Sequence, residues 1–137
     1  MKVRDIMTKN VAHIKPDTSI IDAARLMQQY NVGSIPVCDQ SGVVGMVTDR
    51  DIVVRNVVMG TDPKATPVSN IMTTGITSVS PDTDVNDLED IMSQKQIRRI
   101  PVVDQNHLVG IVALGDLATD WRVDSQASDA LTDISEP

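Results

Sequence analysis

An internal duplication constrains this 137-residue chain more than any other feature of its sequence. Residues 3–55 align without gaps with residues 68–120, at a constant offset of 65 positions, and 19 of the 53 aligned pairs are identical. The matched segments are VRDIMT with VSNIMT, IKPDT with VSPDT, SIPVCDQ with RIPVVDQ, and GMVTDRD with GIVALGD. A fixed period with the segments in the same order predicts two copies of one supersecondary unit.

The duplication also sets the predicted domain boundaries. We expect repeat 1 over residues 1–60, a linker over 61–67, repeat 2 over 68–121 and an acidic tail over 122–137. Gly, Pro and small residues in GTDPKATP indicate the linker. The tail is polar with few apolar anchors, which predicts partial mobility.

Each repeat has the same predicted order of elements: strand, helix, strand, strand, helix. The Pro-Asp-Thr triplets at 16–18 and 81–83 place capping side chains before segments with apolar residues at helical spacing. Two β-rich runs separated by a turn then predict two strands of a small sheet. A second helix is expected to begin near Asp49 in repeat 1 and near Gly115 in repeat 2.

These elements predict a mixed fold of the α/β (α+β) class. One such repeat, with a single sheet face and two helices, cannot bury its apolar face well alone. Two repeats packed sheet to sheet with pseudo-two-fold symmetry can do so. That arrangement would create two related clefts between the repeats.

Charge and cysteine content exclude several classes of protein. The formal net charge of −7 opposes nucleic-acid binding, which depends on clustered Lys and Arg. The single cysteine, Cys38, cannot form an internal disulfide, so we expect a reducing, cytoplasmic compartment and a small buried hydrophobic role for this thiol.

The opening MKVRDIMTKN has no apolar run, and no segment approaches membrane-spanning length. We therefore expect neither a signal peptide nor a membrane partner.

The sequence does not favour a metal site or an enzyme. His13 and His107 have no His, Cys or carboxylate at a ligand spacing that repeats, which argues against a metal site. No nucleophile with a plausible base and no phosphate-binding glycine loop is present. We expect no catalytic residues.

The ordered motifs resemble those of cystathionine-β-synthase (CBS) domains. DIMT, PDT, an apolar helix, (S/R)IPVVD and a glycine-led segment ending in Asp occur in this order in both halves, and the resemblance covers residues 1 to about 120. It implies a tandem pair, often dimeric, that binds AMP, ADP, ATP or S-adenosylmethionine in the clefts between the repeats. No further cofactor is implied.

The resemblance assigns most ligand contacts to one cleft. The segment GMVTDRD keeps the family's Thr and Asp, so Asp51 would accept hydrogen bonds from the ribose hydroxyls and Thr48 would help hold ribose or phosphate. From the other repeat, Arg98 and Arg99 would meet the phosphates. Adjacent arginines suit bidentate phosphate pairing on chemical grounds as well. The adenine is expected between apolar side chains of Met46, Ile76 and Ile100.

The second cleft is expected to be weaker. Asp116 is kept, but Ala113 stands where repeat 1 has a threonine hydroxyl. The residues implied to face it from the other repeat are Gly33 and Ser34.

Other interpretations of these residues remain open at the sequence level. Asp51 and Asp116 could be carboxylates that only favour the dipole of a helix N-terminus, and Thr48 could be a helix N-cap. Arg98 and Arg99 could be solvated or could pair with carboxylates of a dimer partner.

Two functions therefore compete. The first is a nucleotide-sensing regulatory homodimer that passes its signal to an effector protein. The second is a dimeric interaction scaffold with the same fold that binds no nucleotide and acts through its acidic tail or exposed helices. A small hydrolase or transferase is a third class, and it lacks catalytic groups.

Overall fold

The computed structural model of the chain describes residues 1–119, so Trp121 and the acidic tail lie outside the described part. It contains four α-helices, α1 (Ile20–Tyr30), α2 (Asp49–Ile52), α3 (Val85–Lys95) and α4 (Leu114–Thr119), and four strands, β1 (Ser34–Asp39), β2 (Gly42–Thr48), β3 (Arg99–Asp104) and β4 (His107–Ala113). A π-helical segment, Val53–Val57, continues α2, and short 3₁₀ helices span Val3–Asp5 and Val68–Asn70. The predicted mixed fold and the second helices are confirmed.

The chain forms two compact units whose limits differ from those of the sequence repeats. The central unit consists of residues 12–76, and the terminal unit joins residues 1–11 to residues 77–119. The linker predicted at 61–67 is bound to the central unit, because the Ile20 and Ile21 amides donate to the carbonyls of Thr66 and Pro63 at 3.0 Å each.

Each unit holds one two-stranded antiparallel sheet. β1 pairs with β2 and β3 with β4, with one register shift between Val37 and Cys38 and an equivalent one between Val102 and Val103. The strand predicted at the start of each repeat is reduced to a single parallel bridge, Ile14 with Val37 in the central unit. Pro16 follows two residues later, and proline has no N–H with which to continue a ladder.

The helix caps fall one residue later than the Pro-Asp-Thr triplets predict. Ser19 caps α1 and Asp84 caps α3, each by accepting a backbone N–H of the first turn. Thr18 instead accepts from the Lys15 amide at 3.1 Å and closes the turn that precedes the helix.

Each unit has its own apolar core. The segments VRDIMT (3–8) and VSNIMT (68–73) share the pattern VxxIMT, and each contributes its first valine to one core. Val3 is fully buried in the terminal unit, as is Val68 in the central unit. The terminal core comprises Val3, Val79, Val85, Leu88, Met92, Ile100, Val102, Val112, Leu114 and Leu117. The central core comprises Ile14, Ile20, Ala23, Met27, Ile35, Val37, Val47, Val68 and Ile71.

Candidate functional site

Thr48 and Asp51 form a capping box at the start of α2. Thr48 Oγ1 accepts from the Asp51 amide at 3.0 Å, and Asp51 Oδ2 accepts from the Thr48 amide at 3.0 Å. Both bonds satisfy backbone donors at a helix N-terminus, where a carboxylate is also favoured by the helix dipole. The N-cap interpretation of Thr48 is confirmed, and it brings together the two residues predicted to bind the ribose.

The Asp51 carboxylate has two polar side-chain neighbours, although the residue is only 8% exposed. Thr73 Oγ1 lies 3.4 Å from each carboxylate oxygen, and Arg55 Nε lies 3.8 Å from Oδ1. Sequence reasoning missed both neighbours. The i,i+4 spacing from Asp51 to Arg55 could have indicated the Arg55 contact. The contact with Thr73, 22 residues away, depends on tertiary folding.

Ser34 and Gly33 lie at the same end of the central sheet as Thr48. Ser34 pairs with Thr48 across the two strands, and the Gly33 carbonyl accepts from the Asp49 amide at 2.9 Å. Ser34 Oγ is buried and has no hydrogen-bond partner within residues 1–119. An unsatisfied buried hydroxyl is uncommon, so Ser34 has free hydrogen-bonding capacity.

The terminal unit repeats this geometry without the hydroxyl. The Ala113 amide donates to Asp116 Oδ2 at 2.9 Å, and the Leu114 amide donates to the Arg98 carbonyl at 2.7 Å. Arg99 pairs with Ala113 across β3 and β4. Half of the capping box is therefore kept, because Asp116 can accept a bond but the Ala113 side chain cannot.

Arg98 and Arg99 are both exposed at the start of β3. Neither side chain forms an ion pair with any residue in the described range 1–119. Their guanidinium groups are thus available to an anion, although these two residues belong to the terminal unit and Asp51 to the central unit.

The three apolar residues predicted to hold the adenine differ in accessibility. Ile76 is half-buried and Met46 is 7% exposed, both in the central unit. Ile100 is fully buried in the terminal core. A direct contact of Ile100 with a ligand would therefore require β3 to move.

Cys38 is half-buried rather than fully buried, and it lies at the register shift of the first sheet. Burial, followed by the negative charge of Asp39, raises the pKa of its thiol.

The described part of the chain contains no group of three or more His, Cys, Asp or Glu side chains arranged to hold a metal ion. Among the described helices, none is both long and apolar enough to span a membrane.

Comparisons with known proteins agree with the motifs. A model of the CBS domain family matches twice, at residues 3–56 and 68–120. The chain is 50% identical over 133 residues to the CBS domain-containing protein YhcV of Bacillus subtilis, covering 97% of this chain and 94% of that protein.

Two solved structures show the same fold. Hypoxic Response Protein I, solved with two coordinated zinc ions, has a TM-score of 0.79 at 32% identity, covering 86% of this chain and 97% of that one. The CBS domain pair of protein MJ0100, in complex with 5′-methylthioadenosine and S-adenosyl-L-methionine, has a TM-score of 0.75 at 28% identity, covering 86% and 93%. The latter protein thus binds adenosine compounds.

Proposed function

This chain belongs to the CBS domain family, and on that premise we propose that it is a non-catalytic regulatory module that binds an adenosine-containing nucleotide. The observation that carries the proposal is the Thr48–Asp51 pair, in which a largely buried carboxylate is held in one orientation by reciprocal 3.0 Å bonds. A fixed carboxylate suits a vicinal diol, because its two oxygens accept bonds from two hydroxyls.

The main site is built around Thr48 and Asp51. Asp51 and Thr48 would bind the ribose, and Arg98 and Arg99 would pair with the phosphates. Met46 and Ile76 would form the apolar surroundings of the base, whereas Ile100, fully buried in the terminal core, would reach it only if β3 moved. The adenosine compounds bound by the MJ0100 domain pair support this ligand class, and the two exposed arginines favour AMP, ADP or ATP over the cationic S-adenosylmethionine.

A second, weaker site would use Asp116, Ser34 and Gly33. The Ser34 hydroxyl, which is buried and has no hydrogen-bond partner within residues 1–119, supports it. The missing hydroxyl at Ala113 and the absence of a cation pair at Gly33–Ser34 argue for lower affinity.

We also propose a homodimer. The end of the second helix of repeat 1 exposes an apolar patch made of Val53, Val54, Val57, Val58 and Met59, with Val58 71% exposed. Contiguous apolar surface of this kind is unfavourable in water and marks interaction sites. The same patch is compatible with the alternative function, a dimeric scaffold that binds no nucleotide. An effector protein is the other partner that could bind this patch.

A ligand panel separates the two functions. A ligand that binds only the folded state raises the melting temperature, by an amount that grows with its concentration relative to Kd. We expect AMP, ADP or ATP to raise it more than S-adenosylmethionine or NAD. If none of these compounds raises the melting temperature at millimolar concentration, the scaffold replaces the nucleotide sensor. Incubation with ATP should release no product, whereas turnover would show an enzyme.

A further inference from the structure

Two side chains connect the Asp51 carboxylate to the segment of residues 71–73. Thr73 Oγ1 lies 3.4 Å from both carboxylate oxygens. Arg55 places Nε 3.8 Å from Asp51 Oδ1 and donates from Nη1 to the Ile71 carbonyl at 3.3 Å. The proposed ribose acceptor is therefore linked both to its own helix and to this segment.

The segment itself is firmly attached to the central sheet. The Thr73 amide donates to the Met46 carbonyl at 2.8 Å, and the Met46 amide donates to the Thr73 carbonyl at 3.0 Å. Met72 packs so closely on Gly45 that a β-carbon there would lie 2.7 Å from the methionine sulfur. Residue 76 ends the central unit, so this segment is the last one anchored before the chain enters the terminal unit.

The equivalent segment of the terminal unit lacks the side-chain connection. Thr8 occupies the place of Thr73 and makes the same two backbone bonds, with Ile111, at 2.8 and 3.0 Å. Within the described chain, however, its hydroxyl makes no hydrogen bond with Asp116. In the sequence, Asp120 stands where repeat 1 has Arg55, so the charge at that position is reversed. Within residues 1–119, a threonine hydroxyl therefore connects this segment to Asp51, and the equivalent one does not reach Asp116.

We propose that Thr73 is a positioning residue for Asp51, and that a ribose bound at Asp51 tightens residues 71–73 through the Thr73 hydroxyl. This inference rests on the proposed nucleotide-binding function. At 3.4 Å the bond is long for an O–H···O contact, so a carboxylate fixed further by a diol can shorten it. A carboxylate accepts about four hydrogen bonds, which leaves room for the sugar beside the Thr48 amide and Thr73.

Coupling between two sites is reciprocal: if ribose tightens the segment, the anchored segment strengthens ribose binding. Thr73→Val removes the hydroxyl and keeps a β-branched side chain at an exposed position. By calorimetric titration with AMP, we expect it to weaken binding about two- to tenfold. Thr73→Ser should restore the wild-type affinity. The matched control, Thr8→Val, should leave the affinity of the main site unchanged.

Hydrogen exchange gives a readout that a purely structural role would not move. In the wild-type protein, saturating AMP should slow exchange of the paired Thr73 and Met46 amides. In Thr73→Val the same saturation should slow them much less, while Thr73→Ser should behave as wild type.

The outcomes distinguish this inference from the function on which it rests. If the wild-type protein binds none of the adenosine compounds, the proposed function fails. If it binds AMP but saturation leaves the exchange of the Thr73 and Met46 amides unchanged, or if Thr73→Val matches wild type in both affinity and protection, only the coupling is overturned. If Thr73→Val does not fold, Thr73→Ala removes the same hydroxyl and gives the same comparison of AMP affinity and amide protection.

Discussion

Asp51 Oδ2 and Thr48 Oγ1 each accept the backbone amide of the other residue at 3.0 Å, whereas Asp116 accepts from Ala113 without a returned bond. The two repeats therefore cap their second helices unequally. The difference is a single hydroxyl at one sequence position, so it can be exchanged between the repeats by substitution.

Thr48→Ala should lower the free energy of unfolding by about 0.5–2 kcal/mol, the usual cost of losing an N-cap side chain. Ala113→Thr should act in the opposite direction, because it supplies the missing acceptor to the Asp116 amide. Chemical denaturation of both variants measures these effects. Equal stability of Thr48→Ala and wild type would show that the cap contributes nothing.

Asp51→Ala should weaken the binding of AMP or ATP by at least about tenfold, because hydrogen bonds to a charged group contribute about 1.5–3 kcal/mol. Asp116→Ala should have the smaller effect. Asp51→Asn isolates the effect of the charge, because its amide oxygen can still accept a hydrogen bond from the Thr48 amide. If Asp116→Ala abolished binding and Asp51→Ala did not, the choice of main site would be wrong.

Arg99→Ala should weaken binding of AMP or ATP more than that of adenosine, because it removes a phosphate contact and leaves the sugar contacts intact. Calorimetric titration with the nucleotide and the nucleoside gives the ratio. An equal loss for both ligands would place Arg99 away from the phosphates.

Gly110→Ala should destabilise the protein by about 1–3 kcal/mol, the typical cost of overpacking. A β-carbon there would lie 2.7 Å from Met7 Sδ and 2.8 Å from the Thr8 carbonyl oxygen, and the backbone oxygen cannot move aside easily. Gly115→Ala is the matched control, since nothing lies within 4 Å of its β-carbon. It should be neutral or stabilising by up to about 1 kcal/mol because helical glycine costs backbone entropy. Thermal unfolding should separate the two variants clearly.

Cys38 should react slowly with thiol reagents near neutral pH and rapidly once denaturant is added. Burial raises its thiol pKa, so little of the reactive thiolate is present. Above the ordinary cysteine pKa the unfolded chain loses this proton more readily than the folded protein does. The contribution of Cys38 to stability is therefore complete at pH values below the ordinary cysteine pKa, and it is lost as the pH rises through the raised pKa of the folded protein.

Cys38→Val, which introduces the residue found at the equivalent position 103 of repeat 2, should remove this alkaline dependence. Denaturation curves over an alkaline pH series compare the two proteins. Fast labelling of the native protein would contradict the predicted protection.

The apolar patch defined above predicts self-association. Light scattering should give about twice the monomer mass of 14.9 kDa at micromolar concentration. Val58→Ser should shift the protein towards the monomer without loss of folding, because the side chain is 71% exposed. Tyr30→Ser, at an exposed position outside the patch, should leave the mass unchanged. A wild-type monomer would argue against the proposed homodimer.

The sequence by itself determined the repeat, the element order after each helix start and the local chemistry of Thr48 and Asp51. These features depend on residues close together in the chain: apolar spacing within α1 and α3, turn residues within each hairpin, and a capping pair three residues apart. The constant offset between the two repeats then extended each local prediction to its counterpart.

Only the tertiary structure decided which segment packs on which repeat. Residues 1–11 join the terminal unit, and residues 61–76 join the central unit, although the sequence assigns the first segment to repeat 1 and part of the second to repeat 2. Both segments share the VxxIMT pattern, and the two sheets are similar in sequence, with Gly45 in one and Gly110 in the other. The local pattern therefore cannot decide which segment packs on which sheet. The contacts of Asp51 with Thr73 and of Gly110 with Met7 arise from this choice, since they join residues that only the folded chain brings together.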